Sequence, residues 1–326
     1  MIIEFITVAL AVFFVTVILE KLIIPILQSR KVGQKILEIG PRWHKNKAGT
    51  PTMGGICFIM AILAVMVIVA IIFDVNGESG ELIPLALALG LAVLNGMIGF
   101  FDDYTKLVKK QNEGFTAKQK IILQSLAAIL YLAAMSLTDN INTALHIPFT
   151  SVSLELGWFY YVFAFVLIIG FVNSVNLTDG IDGLASSVTL VVGLFFAAVG
   201  MTLNDKILIL IGAALVGATA GFLVYNFYPA RVFMGDTGSL FLGALTASMA
   251  FMINMPILIV GVGIIYVIEG ISVIMQVGYY KKTKKRLFKM APIHHHFEKS
   301  GYSEIKIVIL FSLVTALLAA VLYFGI

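Results

Sequence analysis

Charge and cysteine are what this chain has least of. Only 12% of its 326 residues are Asp, Glu, Lys or Arg, 60% are hydrophobic, and the mean hydropathy is +1.01. So little charge cannot clothe an apolar core in water, which excludes an ordinary soluble domain and leaves lipid as the solvent. The lone cysteine, Cys57, excludes a disulfide framework and a cysteine-rich zinc site, and its apolar setting makes it a packing residue. No large soluble segment remains between the apolar runs, so residues 1–326 are expected to form a single transmembrane domain. Nucleic acid is not expected among its partners.

What is there is a succession of apolar runs, each near the ~20 residues a helix needs to cross a hydrocarbon core. They predict an all-α integral membrane protein of about ten spans, near 2–27, 53–73, 82–101, 119–137, 157–172, 184–201, 206–225, 238–253, 257–279 and 305–325. The first run has no basic residue before it and no small-residue cleavage site after it, so it is expected to persist as a span. Odd-numbered loops carry Arg30, Lys31, Lys35, Arg42, Lys45 and Lys47, then Lys106, Lys109, Lys110 and Lys118, then Arg231, then the cluster from Lys281 to Lys289. Even-numbered loops carry Asp74, Glu78, Glu81, Asp139 and Glu155, with Lys206 the one clear cation. Basic loops mark the cytoplasm, so both termini are expected outside. The outer segment Ile147 to Leu156 alternates apolar and polar residues and predicts a short extended piece or hairpin on the membrane surface. The ninth span, with Gly261, Gly263, Gly270 and Gly278, is a candidate for bending or close packing.

Polar residues that a membrane protein otherwise avoids gather in or beside the cytoplasmic loops. The third span ends NGMIGFFDDY, setting Asp102 and Asp103 at the membrane edge and Asn95 two helical turns before Asp102, on the same face. The loop NSVNLTDGIDG, from Asn173 to Gly183, places Asp179 and Asp182 beside glycines in a tight turn that presents oxygen ligands or hydrogen-bond acceptors. After the seventh span come Asn226 and then FMGDTGS, where Asp236 is either a site carboxylate or a helix N-cap. Carboxylates from three loops at one face, with few thiols or isolated imidazoles, suit a hard cation such as Mg2+, and Mg2+ suggests phosphate.

The run His294, His295, His296 lacks the spacing of a helical zinc site and suits phosphate contact or proton transfer. KAGTPTMGG, from Lys47, joins a cation to hydroxyls and glycine backbone as an anion site would, although its glycines follow the lysine, unlike a Walker loop. Glu269 and Gln276 share a face of the ninth span, and Glu269 is explained equally well by chemistry and by pairing with a basic residue at the cytoplasmic edge.

In their order, KAGTPTMGG, FFDDYTK with the later FTAKQK, NSVNLTDGIDGLA, FMGDTGSL and APIHHHFEKSGYSE resemble the cytoplasmic motifs of the polyprenyl-phosphate N-acetylhexosamine-1-phosphate transferases over nearly the whole chain. The histidine loop resembles the branch of that family that transfers phospho-N-acetylmuramoyl-pentapeptide. The resemblance implies a ten-span, commonly dimeric enzyme of the bacterial cytoplasmic membrane. It would convert UDP-N-acetylmuramoyl-pentapeptide (UDP-MurNAc-pentapeptide) and undecaprenyl phosphate into lipid I and UMP with Mg2+. The resemblance also implies that Asp102, Asp103 and Asp236 form the acidic centre, with Asp236 the Mg2+ ligand and Asp102 activating the lipid phosphate, and it adds His294, His295 and His296 as catalytic candidates. By the same likeness Lys47, Thr52, Asn173, Asn176, Asp179, Gly180, Asp182, Asn226 and Phe233 line the nucleotide pocket, with Phe233 placed to stack on uracil and Lys106 and Lys118 near phosphates.

Phosphoryl transfer needs positioning and charge neutralisation more than covalent help, so direct in-line attack by the lipid phosphate is the expected mechanism, with a covalent aspartyl intermediate as the alternative. The nearest rival reading is a sister enzyme carrying N-acetylglucosamine phosphate, against which the histidine loop argues. A secondary transporter would put ionisable residues at mid-membrane and show an internal repeat, whereas here the acids lie at one face and no clear repeat is found.

Overall fold

Apolar runs become helices almost where the sequence predicts them. The computed structural model describes residues 1–29, 47, 49–109, 114–150 and 152–326. The expected cytoplasmic cations Arg30, Lys31, Lys35, Arg42, Lys45 and Lys110, the side chain of Lys109, and Ala48 of the first motif lie outside the described residues. The helices are α1 Ile2–Ser29, α2 Gly55–Val75, α3 Leu82–Lys109, α4 Ala117–Leu137, α5 Phe159–Thr178, α6 Leu184–Leu203, α7 Lys206–Asn226, α8 Gly235–Met252, α9 Leu258–Val262, α10 Ile264–Thr283, α11 Ile293–Glu298 and α12 Glu304–Tyr323. Three of the starts, those of α4, α7 and α12, are set by short polar side chains that accept otherwise orphaned backbone N–H groups. Thr116 and Gln119 form a reciprocal capping box on α4, Asp205 accepts from Leu208 on α7, and Ser303 accepts from Lys306 on α12.

Among the described residues eight helices are long and apolar enough to cross a membrane, and α8 and α10 are not among them. For α8 the reason is its place in the bundle. Every residue from Thr237 to Phe251 is buried, and α2, α3 and α5 all pack on it, so its Gly, Ser, Thr and Ala residues admit neighbouring backbones instead of facing lipid. In α10 the helix leaves the bundle: its last turn carries Lys281 and Lys282, and both are exposed.

Two elements differ from expectation. Helix α3 runs past the predicted end at Phe101 to Lys109, so Asp102 and Asp103 lie inside a helix and are buried, not at the start of a solvated loop. The ninth span is two helices parted at Gly263, where a Cβ would stand 2.5 Å from both the Ile259 carbonyl oxygen and the Phe171 ring. That break is the bend its glycines suggest.

The outer hairpin pairs β1, Ala144–His146, with β2, Ser153–Glu155, antiparallel and with Leu145 opposite Leu154. It begins earlier than the predicted Ile147. The Phe149 N–H donates to the Gly325 carbonyl at 3.1 Å, tying the hairpin to the end of the bundle that holds the C-terminus. At the opposite end the close of α3, the start of α4, the α5–α6 and α7–α8 turns and α11 converge, and this end carries the motifs.

Candidate active site

Glycines bring the helix ends together. At Gly99 the α3–α8 crossing is so close that a Cβ would lie 2.1 Å from the Asp236 carbonyl oxygen, and a Cβ on Gly55 of α2 would lie 2.4 Å from the Gly238 Cα. Asp103, one turn beyond Gly99, therefore meets the first turn of α8: its Oδ2 accepts the Thr237 N–H at 3.0 Å and the Thr237 hydroxyl at 2.8 Å. Gly235 has φ +72, and a side chain there would also strike the Asp103 Oδ2 at 2.5 Å and the buried Thr52 Oγ1 at 2.9 Å. Only glycine suits both the backbone and the space.

This crossing assembles three carboxylates and two ammonium groups. Oxygens of Asp102, Asp103 and Asp236 lie within 4.8 Å of one another. Lys106 Nζ stands 2.7 Å from Asp102 Oδ2, 3.3 Å from Asp103 Oδ1 and 3.2 Å from Asp236 Oδ2. Lys120 Nζ reaches the same Asp102 oxygen at 3.0 Å and pairs with Asp236 Oδ2. Asp102 Oδ1 accepts the Phe115 N–H at 2.6 Å, and Asn176 Nδ2 donates to Asp236 Oδ1 at 3.0 Å and to the Ser239 hydroxyl at 2.8 Å. With all five groups ionised, one negative charge is left in excess. An all-oxygen donor set converging within one ion's reach, with negative charge in excess, suits a hard cation such as Mg2+.

Beside this cluster Asp179 closes α5 and is half-buried. Withdrawal from water, reinforced by the Asp236, Asp103 and Asp182 carboxylates, raises its pKa well above the usual carboxylate range. Asp182 is ion-paired instead. Lys47 Nζ bridges Asp182 Oδ1 at 2.7 Å and Glu304 Oε2 at 2.6 Å, Asp182 Oδ2 accepts the Ala230 N–H at 2.9 Å, and the Asp182 N–H donates to Glu304 at 3.0 Å. Lys47 thus clamps the first loop to the α5–α6 turn and to α12.

Other expected pocket residues are engaged in the scaffold. The Asn226 Oδ1 accepts from the Gly183 N–H at 3.2 Å and the Ser186 hydroxyl at 3.3 Å, while its Nδ2 donates to the Val232 carbonyl at 2.9 Å. Asn173 Nδ2 donates to Gln124 Oε1 of α4 at 2.8 Å. The Phe233 N–H donates to the Pro51 carbonyl at 2.8 Å and its carbonyl accepts from Gly54 at 2.9 Å, which joins the threonine–glycine segment to the start of α8 and leaves the ring half-buried.

The histidines lie on α11. His294 is fully buried, with Nδ1 3.1 Å from Glu269 Oε2, so the acid in the ninth span does pair with a residue at the motif end. His295 pairs with Glu298, and His296 Nδ1 accepts the Lys289 N–H at 3.2 Å. Gly180 lies over His294: a Cβ there would stand 2.2 Å from Nε2.

Lys118, expected near phosphates, is exposed on α4, and the lysine that enters the site is Lys120. The signal that finds it is helix phase. Lys120 lies four residues before Gln124 and so continues the buried stripe Gln124, Ala127, Ala128, Tyr131, which Lys118 does not.

Residues 85–254 match the glycosyl transferase family 4 profile, and residues 47–59 match signature 1 of phospho-N-acetylmuramoyl-pentapeptide-transferase. A phospho-N-acetylmuramoyl-pentapeptide-transferase of Staphylococcus carnosus (strain TM300) is 44% identical over 308 residues, covering 94% of each chain. One from Clostridium perfringens (strain 13 / Type A) is 46% identical over 303 residues, 93% of this chain and 92% of its own. One from Staphylococcus aureus (strain bovine RF122/ET3-1) is 42% identical over 305 residues, 93% of each. Matched over 94% of its length at this identity, and carrying the signature on the loop that Lys47 clamps, the chain belongs to glycosyl transferase family 4 and, within it, to the phospho-N-acetylmuramoyl-pentapeptide-transferases.

Proposed function

We propose that this chain, as a single catalytic domain, transfers phospho-N-acetylmuramoyl-pentapeptide from UDP-MurNAc-pentapeptide to undecaprenyl phosphate, giving lipid I and UMP. The observation that carries the reading is the five-group cluster of Asp102, Asp103, Asp236, Lys106 and Lys120 at one end of the helix bundle. There a water-soluble nucleotide and a membrane-held phosphate can meet without either leaving its own phase. Asp236, with Asp102 and Asp103 alongside, would hold Mg2+, which when bound neutralises charge on the transferred phosphate.

The chain's own residues do the rest. Lys106 and Lys120 meet the phosphate oxygens, and their existing ion pairs keep both ammonium groups aimed into the site. Asp102 takes the remaining proton of the lipid phosphate, a small demand since a phosphate monoester's second ionisation lies near about pH 6. The lipid phosphate then attacks in line and UMP departs. Asp179, Gly180 and Asp182 shape the nucleotide side, with Thr52 and Phe233 beside them. The reading extends to a homodimer in the bacterial cytoplasmic membrane with this end of the bundle facing the cytoplasm, in keeping with the exposed cations from Lys281 to Lys289.

The test is UMP release by detergent-purified protein with undecaprenyl phosphate and Mg2+, comparing UDP-MurNAc-pentapeptide with UDP-N-acetylglucosamine. Release with the muramoyl donor alone, lost with EDTA, restored by Mg2+ and abolished by Asp236→Ala, is the expected result. Preference for the N-acetylglucosamine donor would move the chain to the sister activity, and EDTA-resistant release would overturn the metal assignment.

A further inference from the structure

Glu269 and His294 form a pair that the chemistry above does not use. Both side chains are fully withdrawn from solvent, one on α10 and the other on α11. A single oxygen, Glu269 Oε2, lies 3.1 Å from His294 Nδ1 and accepts the His294 backbone N–H at 3.4 Å, fixing the ring and the start of α11 together. The approach at Nδ1 is close, without the alignment of a full hydrogen bond. Among the described residues neither ring nitrogen, nor Glu269 Oε1, has a hydrogen-bond partner.

Leaving buried polar atoms unmatched is costly, so such a pair points to a partner that arrives from outside the chain. The direction of approach is visible. Nε2 lies directly beneath Gly180, where a Cβ would come to 2.2 Å, and Gly180 itself is exposed between Asp179 and Asp182. A glycine is the thinnest cover a backbone can offer. Contacts of this kind are commonly long or bent without substrate and tighten when it binds.

We propose that Glu269 is the positioning residue of His294. By accepting a hydrogen bond from the Nδ1–H it fixes the neutral imidazole as an acceptor at Nε2, aimed at the Asp179–Asp182 turn, to accept a hydrogen bond from a hydroxyl or amide of the nucleotide-sugar donor. The proposal rests on the functional reading above, since it needs that donor at that turn. Glu269 touches no substrate and acts only through the ring.

The experiment pairs kinetics with 15N NMR of histidine-labelled protein, the His294 signals being assigned by their loss in His294→Asn. In the parent protein His294 is expected to show a protonated Nδ1 and an unprotonated Nε2, and Glu269→Gln to move both signals towards exchange between tautomers. In the same variant kcat/KM for UMP release falls about tenfold to a hundredfold, as when other imidazoles lose the group that orients them. Placed in the His294→Asn background, Glu269→Gln costs nothing more. Equal losses in both backgrounds, or unmoved His294 signals in Glu269→Gln, overturn the proposal.

Should Glu269→Gln not fold, Gly180→Ala tests the pair from the other side. Its methyl group displaces Nε2, and a shifted Nε2 signal with a fall in kcat is expected, whereas an unchanged spectrum refutes the placement. If the parent protein releases no UMP, the functional reading fails, and the NMR arm still judges the pair.

Discussion

A lysine earns its place in this site by helical phase, not by its position in a motif. Lys118 and Lys120 sit two residues apart in one short stretch, yet only Lys120 continues the buried face of α4 and reaches Asp102 and Asp236. Lys120→Ala is expected to lower kcat/KM by about one to two orders of magnitude, the worth of about 1.5–3 kcal/mol for a hydrogen bond to a charged group, and Lys118→Ala to leave it within about twofold. Steady-state UMP release decides between them, and the reverse order would remove Lys120 from the site. The three central aspartates are legible in the sequence because ionisable residues at the edge of apolar spans are costly unless used. The Lys47 clamp is not, because Glu304 lies 257 residues away and no local pattern announces it. Asn226 and Asn173 match the motif as well, and the structure adds what the motif does not show: each has its amide engaged by neighbouring elements.

Between elements, the separation of α3 and α8 sets how closely Asp103 and Asp236 approach each other. Hydropathy finds both helices and misjudges the length of one, since it stops α3 where the charges begin, although the buried charges pair with lysines and the helix continues. Sequence alone shows glycines in both helices without saying which one marks the crossing. The structure singles out Gly99, where a Cβ would lie 2.1 Å from the Asp236 carbonyl oxygen. Gly99→Ala must part the helices, and overpacking of this kind costs about 1–3 kcal/mol. The larger effect falls on activity, because a displacement near 1 Å at Asp103 and Asp236 costs on the order of a hundredfold in rate. Gly90, with no atom within 4 Å of its would-be Cβ, is the control on the same helix. The expected outcome is a large loss of kcat and a lowered Tm for Gly99→Ala and neither for Gly90→Ala. Equal behaviour of the two would sink the crossing as the determinant.

At the scale of the whole molecule the two ends of the bundle are chemically unlike, and that asymmetry is read directly from the loops. Exposed cations from Lys281 to Lys289 close α10 and follow it at the motif end, while Glu81 and Asp139 are exposed at the end that holds both termini. Positive charge is retained on the cytoplasmic side of a bacterial membrane, so the proposed orientation has the motif end facing inward and the termini outward. The chain's composition makes this unusually easy to test, because its single cysteine, Cys57, is buried and fully shielded. A membrane-impermeant maleimide should therefore leave the parent protein unlabelled. Glu81→Cys is expected to label in intact spheroplasts, and Lys282→Cys only after the membrane is opened. The reverse pattern would turn the molecule over and place the carboxylate cluster where no cytoplasmic nucleotide could reach it. The orientation and the proposed donor therefore stand or fall together.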